Sequence, residues 1–236
     1  MSKEQPDLFG DNKPALVNEL EEVYKADKLD SNNKENITYL PQVNKEESYP
    51  YISDYDELQK IARDCNLCRL RSTCKQVVFG EGNKKAQLMV IGEGPGQDED
   101  EQGRPFVGRA GQLLDKILGA AEIPRKDIYI TNVIKCRPPG NRLPNPDEVK
   151  ACQNYLEAQI RILKPPIIVC LGALASQTVI DKNARISKVR GRWFTRYDIR
   201  IMATFHPAAL LRNEEYKRPT WEDFKLIRDE FKKIST

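Results

Sequence analysis

Among 236 residues there is a single histidine, His206, with two tryptophans and three methionines. The lone histidine is remote from every cysteine, so a cysteine-based metal site draws on sulfur alone. No apolar run is long enough for a membrane span, and Met1 is followed by Ser2-Lys3-Glu4-Gln5-Pro6-Asp7 instead of an apolar signal region. These absences predict a cytoplasmic chain without a membrane anchor, whose thiols stay reduced. The turn Gly92-Glu93-Gly94-Pro95-Gly96 has no Gly-Lys-Ser/Thr after it, which excludes a phosphate-binding P-loop. No internal repeat is visible, and no amine stands out as a nucleophile.

Arginine is missing from residues 1–50, which hold six lysines against eleven acidic residues, a net of −5. Since the whole chain carries +3, residues 51–236 carry +8, a bias that suits a polyanionic partner. The composition predicts a disordered acidic tail over 1–50 and one folded domain over 51–236. Two stretches of the tail depart from this pattern. Leu16 to Leu29 predicts a transient helix, and Gln5-Pro6-Asp7-Leu8-Phe9 sets a leucine–phenylalanine pair where there is no core to join. That peptide resembles the short Gln-x-x-Leu-Phe segment by which bacterial repair and replication proteins dock on the sliding clamp.

Six cysteines are present, four of them as Cys65-x2-Cys68 and Cys136-x15-Cys152. They read as one four-thiolate site. A zinc ribbon usually brings two tight Cys-x2-Cys knuckles, so the wide second pair favours an iron–sulfur cluster, with zinc and no metal as the open alternatives. Cys74 breaks the two-plus-two pattern and is set aside. Cys170, within Ile167-Ile168-Val169-Cys170-Leu171, reads as a small buried hydrophobe.

Periodicity predicts a helix over 54–65 capped by Ser53 or Asp54, with Leu58, Ile61 and Ala62 on one face. Short apolar runs at 87–91, 128–134 and 167–171 predict buried parallel strands. Leu113, Leu114, Ile117 and Leu118 form a helical stripe; Pro146 opens a helix capped by Asn145 with Glu148 three residues on. A short helix over 173–180, a hairpin of strands 193–197 and 199–205, and a terminal helix capped by Thr220 complete the expectation. Strands alternating with helices give an α/β class, a three-layer α/β/α sandwich on a mainly parallel sheet whose ligands bind beyond the strands' carboxyl ends.

Several loops leave such ends. Gly92 to Gly111, with Glu99-Asp100 and Gly103-Arg104-Pro105-Phe106-Val107-Gly108, then Thr131-Asn132-Val133-Ile134-Lys135-Cys136-Arg137-Pro138-Pro139, and His206-Pro207-Ala208-Ala209-Leu210-Leu211-Arg212, together with the cysteine spacing, strongly resemble family 4 uracil-DNA glycosylases from about Cys65 onward. The resemblance implies the α/β/α fold, a [4Fe-4S] cluster on Cys65, Cys68, Cys136 and Cys152, and removal of uracil from DNA in base excision repair; with no amine nucleophile for a lyase step, a monofunctional enzyme that leaves an abasic site is expected.

Roles follow residue by residue. Phe106 stacks on the extruded base, and Asn132 offers an acceptor and a donor to uracil N3–H and O4. His206 donates to uracil O2, where negative charge develops, and main-chain N–H groups of the Glu93-Gly94 turn add bonds to the base. Better-known relatives of the superfamily have an aspartate where this chain has Gly94, so Glu93, Glu99 and Asn141 are the candidates for activating water. Leu210, Leu211 and Arg212 suit a loop wedged into the minor groove. Arg142 in the Arg137–Arg142 loop, and the basic stretch 188–192, suit phosphate contacts. The expected partner is uracil-containing DNA, met by a monomer. A broader deaminated-base glycosylase acting on hypoxanthine or xanthine, and a non-catalytic iron–sulfur DNA-binding protein, are the competing readings. A relative that joins covalently to uracil-DNA would need a further histidine.

Overall fold

A computed structural model describes residues 38–39 and 52–235. Both tail expectations, the clamp-like peptide at 5–9 and the helix at 16–29, lie outside the described residues.

Seven strands form one sheet: β1 (Thr38–Tyr39), β2 (Glu81–Gly82), β3 (Leu88–Gly92), β4 (Ile128–Asn132), β5 (Ile167–Leu171), β6 (Trp193–Arg196) and β7 (Ile199–Thr204). Their order is β1-β6-β7-β5-β3-β4-β2. The central β7, β5, β3 and β4 are mutually parallel, while β6 pairs antiparallel to β7 and β2 antiparallel to β4. The short β1 pairs parallel to β6, so the body takes in a piece of chain that composition assigned to the acidic tail. Thr38 and Tyr39 lie in an island of strand-forming residues within that polar stretch.

β3, β4 and β5 are buried at every position. That is why they read as unbroken apolar runs, as strands covered on both faces do. Met89, Ile91, Tyr129, Ile168, Cys170, Ile201 and Ala203 join one core with α1 (Tyr55–Arg63), α4 (Pro146–Leu163) and α5 (Gly172–Val179). The alternate residues point to the other face, where α8 (Lys217–Ser235) meets β7 and α3 (Arg109–Ala120) packs beside α8. The result is the expected three-layer sandwich.

Most predicted elements are present with ends moved by a residue or two. Asp54 caps α1, its carboxylate accepting from Glu57 N at 2.8 Å. At the start of α4, Asn145 N donates to Glu148 Oε2 at 2.7 Å. β4 stops at Asn132, two residues short of the apolar run, because Val133 N and Ile134 N turn to the carbonyls of Gly92 and Glu93. Thr220 is not a cap. α8 starts at Lys217, and Thr220 sits in its first turn with its hydroxyl donating to Tyr216 O at 2.7 Å. Three short helices escaped periodicity: α2 (Gln97–Gln102), α6 (Ile186–Val189) and α7 (Pro207–Leu210). None of the described helices is long and apolar enough to cross a membrane.

Candidate active site

Gly92 and Asn132, the last residues of β3 and β4, are paired in register at the carboxyl edge of the sheet. A Cβ on Gly92 would lie 2.4 Å from Asn132 Oδ1 and 2.6 Å from Phe106 Cζ, so a hydrogen is all the space allows there. Phe106 arrives in the left-handed region, φ 53°. Gly111 makes room for that backbone, since its Cβ would stand 2.0 Å from Phe106 O. The Phe106 ring lies 5.5 Å from the His206 ring, tilted by 31°. Three side chains from distant segments are thus brought together beside Gly92.

Their polar atoms are arranged for a ligand. Asn132 is buried, and its Oδ1 has no hydrogen-bond partner among the described residues. An orphaned buried acceptor is costly unless something donates to it. His206 caps α7, and its Nδ1 accepts from Ala208 N at 3.1 Å. That bond leaves the proton of the neutral ring on Nε2. Burial, aided by the nearby Arg212 cation, pushes His206 down to about 4, so the ring is a neutral Nε2–H donor at physiological pH.

Glu93, directly after Gly92, is partly buried, and burial raises its carboxyl above the ordinary range while Arg212 pulls the other way. Gly94 packs closely as well: a Cβ there would stand 2.6 Å from Ile134 Cγ1, so a larger residue would displace that side chain. Glu99 is spent on holding the loop. Its Oε1 accepts from Val107 N and Gly108 N at 2.9 and 2.8 Å, and its Oε2 accepts from Gly96 N at 3.0 Å. Three backbone donors make it the staple that sets Phe106 in place, and they occupy both of its carboxylate oxygens. Asn141 is exposed, with φ 54°, and its Oδ1 accepts from Arg137 Nε at 2.7 Å.

The DNA-facing candidates divide. Leu210 is 2% exposed and belongs to the core, which removes it as a wedge. In the single turn of α7 it points inward while Leu211 is half-buried and Arg212 exposed. Arg142 grips Glu148 with both arms, at 2.8 and 2.7 Å, so it fixes its own loop instead of standing free for phosphate. Lys188 and Arg192 are exposed, whereas Arg190 is tied to Asp223 at 2.6 Å.

Cys65, Cys68, Cys136 and Cys152 line one pocket, with an empty volume of about 310 Å³, part of it open to solvent. Arg71 and Lys135 share its wall, and Lys135 N donates to Cys152 Sγ at 3.4 Å. Among the described residues, no three His, Cys, Asp or Glu side chains converge tightly enough for a single ion. Cys74 Sγ donates to the carbonyl of Arg71 at 3.7 Å and accepts from Arg71 Nη1 at 3.9 Å.

Lys135 and Glu148 are buried charges near the site whose partners spacing did not reveal. Lys135 is fully buried, and its ammonium donates to Thr131 Oγ1, Asn132 O and Gln159 Oε1 at 2.7, 2.7 and 2.6 Å. It bridges the backbone of the orphaned asparagine to the cysteine pocket. Nothing in Val133-Ile134-Lys135-Cys136 marks its burial, because the partners come from β4 and α4.

A family model for the uracil DNA glycosylase superfamily matches residues 79–225. The chain is 45% identical over 188 residues to a type-4 uracil-DNA glycosylase of Thermotoga maritima, covering 75% of this chain and 97% of that protein. It is 41% identical to a protein of the same description from Archaeoglobus fulgidus, covering 75% and 92%. A third, from Saccharolobus solfataricus, is 42% identical over 74% of this chain and 86% of its own length. With these matches spanning the loops that form the site, the chain belongs to the type-4 uracil-DNA glycosylase family.

Proposed function

We propose that this protein extrudes uracil from DNA and hydrolyses its N-glycosidic bond, leaving an abasic site. The observation that carries the reading is the unpartnered Asn132 Oδ1, buried beside Phe106 within a space that His206 borders. Uracil N3–H donates to that oxygen, and the amide nitrogen donates to O4. Cytosine presents the reverse pattern at both atoms and leaves the amide unpaired, the situation that gives strong discrimination. Phe106 stacks on the base face, and the small Gly92 floor brings the backbone close to it.

As the glycosidic bond lengthens, negative charge spreads onto the uracil, and His206 Nε2–H donates to O2. A neutral donor already aimed at the developing charge stabilises the transition state more than the ground state. Glu93 is the residue we assign to water. Its partial burial makes it a stronger base than an ordinary carboxylate, while the Arg212 cation favours its ionised form.

The four pocket cysteines fit an iron–sulfur cluster. An all-sulfur donor set, lining one pocket without converging on a single ion, suits several irons better than one zinc, which holds its ligands at about 2.3 Å. Cys65, Cys68, Cys136 and Cys152 would hold it, and it would cross-link the chain after α1 to the segment after β4. Residues 51–236 with β1 form the catalytic body, while the acidic tail docks on a bacterial sliding clamp through Gln5–Phe9.

The test is a single-uracil oligonucleotide, treated with hot alkali after incubation without magnesium. Strand cleavage that needs alkali, and that falls roughly 10²–10⁴-fold in His206→Ala, is the expected result. No alkali-sensitive product on either strand form would overturn the assignment.

A further inference from the structure

Burial of Leu210 leaves only the half-buried Leu211 and the exposed Arg212 on the β7 side of the site, and the surface offers another leucine on the opposite side. The large apolar side chains most exposed among the described residues are Leu143, Leu67, Leu226 and Tyr197, at 70, 55, 44 and 45%. Tyr197 tips the β6–β7 hairpin at the amino edge of the sheet, opposite the base site, and Leu226 lies on α8 in an outer layer. Leu67 belongs to the cysteine pocket. Leu143 alone stands on a loop leaving the carboxyl end of β4, ten residues past Val133, which follows Asn132 in the chain.

The mount is rigid. Arg142 Nη1 donates to the carbonyl of Leu143 at 2.9 Å and to Glu148 Oε2 at 2.8 Å. Asn145 N, two residues on, donates to the same carboxylate oxygen, and Arg69 Nε reaches Oε1 at 3.1 Å. Pro144 and Pro146 restrict the backbone further. A singly exposed leucine is ordinary on a protein surface; what sets Leu143 apart is that a hydrogen-bonded loop presents it at the carboxyl edge of the sheet, on the β4 side of the base site.

Charge and place name the partner. The loop belongs to a body of net +8, which suits a polyanion, although Arg142 itself is committed to Glu148. β4 lies on one side of β3, and β5 and β7 on the other. The base site therefore has the Leu143 loop on its β4 side and exposed Arg212 on its β7 side. A duplex laid across the carboxyl edge to deliver a base to Asn132 meets both.

We propose that Leu143 presses into the base stack beside the extruded nucleotide, from the side opposite Arg212. This rests on the uracil-excision reading. An apolar wedge offsets the unstacking that a duplex demands and a single strand largely does not.

The experiment compares kcat/KM on a uracil–adenine duplex with that on the same uracil strand alone, for the full chain and Leu143→Ala. The duplex-to-single-strand ratio is expected to fall roughly 10- to 100-fold in Leu143→Ala, a share of the few kcal/mol that flipping costs, and to recover in Leu143→Phe. Because Leu143 is exposed, the melting temperature should stay unchanged. An unchanged ratio, whether both rates hold or both fall together, overturns the proposal. If the unmodified chain cleaves neither form, the uracil reading falls first. Affinity for a duplex with an abasic site then decides, and equal affinity of the two proteins overturns the wedge.

Discussion

At His206 a backbone N–H chooses the proton's position. Ala208 N occupies Nδ1, so Nε2 keeps the hydrogen, and burial holds the ring neutral down to about 4. On the proposed assignment of Glu93 to water, the acid limb of the pH profile is expected to follow Glu93, whose carboxyl burial raises. A base works only when deprotonated, so kcat/KM should rise with pH through Glu93's elevated pKa and then level off. Arg212 favours the carboxylate, so Arg212→Gln should move that limb to higher pH, while Glu93→Gln should remove it. A limb that stays put in Arg212→Gln, measured on a single-stranded substrate, would show that Glu93 is not the titrating group. At this scale much was legible: Asn132, Phe106 and His206 stood out by motif, and they do meet. Glu99 was legible as a site residue but not as a staple, because its donors at 96, 107 and 108 appear only once the loop closes.

The elements meet at the start of α4. Asn145 and Glu148 announced a helix start by their spacing. That the same carboxylate also binds Arg142 and Arg69 is a property of the packing between that loop and the chain after α1. Glu148 is fully buried, and the Arg142 hydrogen bonds hold it down at about 2. Its contribution to stability is thus complete above the ordinary carboxylate range and is lost as pH falls toward about 2. Glu148→Gln keeps the shape and removes the charge. It should cost on the order of 1–3 kcal/mol, since the arginine partners are partly in water. Hydrogen exchange should rise together over 65–72 and 137–145. Exchange rising in one segment alone would mean that Glu148 does not join them.

At the scale of the whole molecule, a basic body and an acidic tail are distinct in charge, and we expect them to separate in function. Removing residues 1–12 should leave uracil excision at its full rate and abolish capture by an immobilised bacterial sliding clamp. Capture that survives the deletion would sink the docking role of Gln5–Phe9. The body's +8 should make duplex binding weaken steeply with salt, as released counterions require.

The sequence by itself determined five of the seven strands among the described residues, the class of fold and the candidates for the site. Unbroken apolar runs can persist only where both faces are covered. Tertiary structure decided which side chains face inward and which partners they keep. Leu210, Leu211 and Leu143 are the same residue type, yet one is core, one is half-buried and one stands in water. Lys135 looks like a surface lysine until β4 and α4 close around it with Thr131, the Asn132 carbonyl and Gln159. Burial is a property of distant segments brought together, and local spacing carries no record of it.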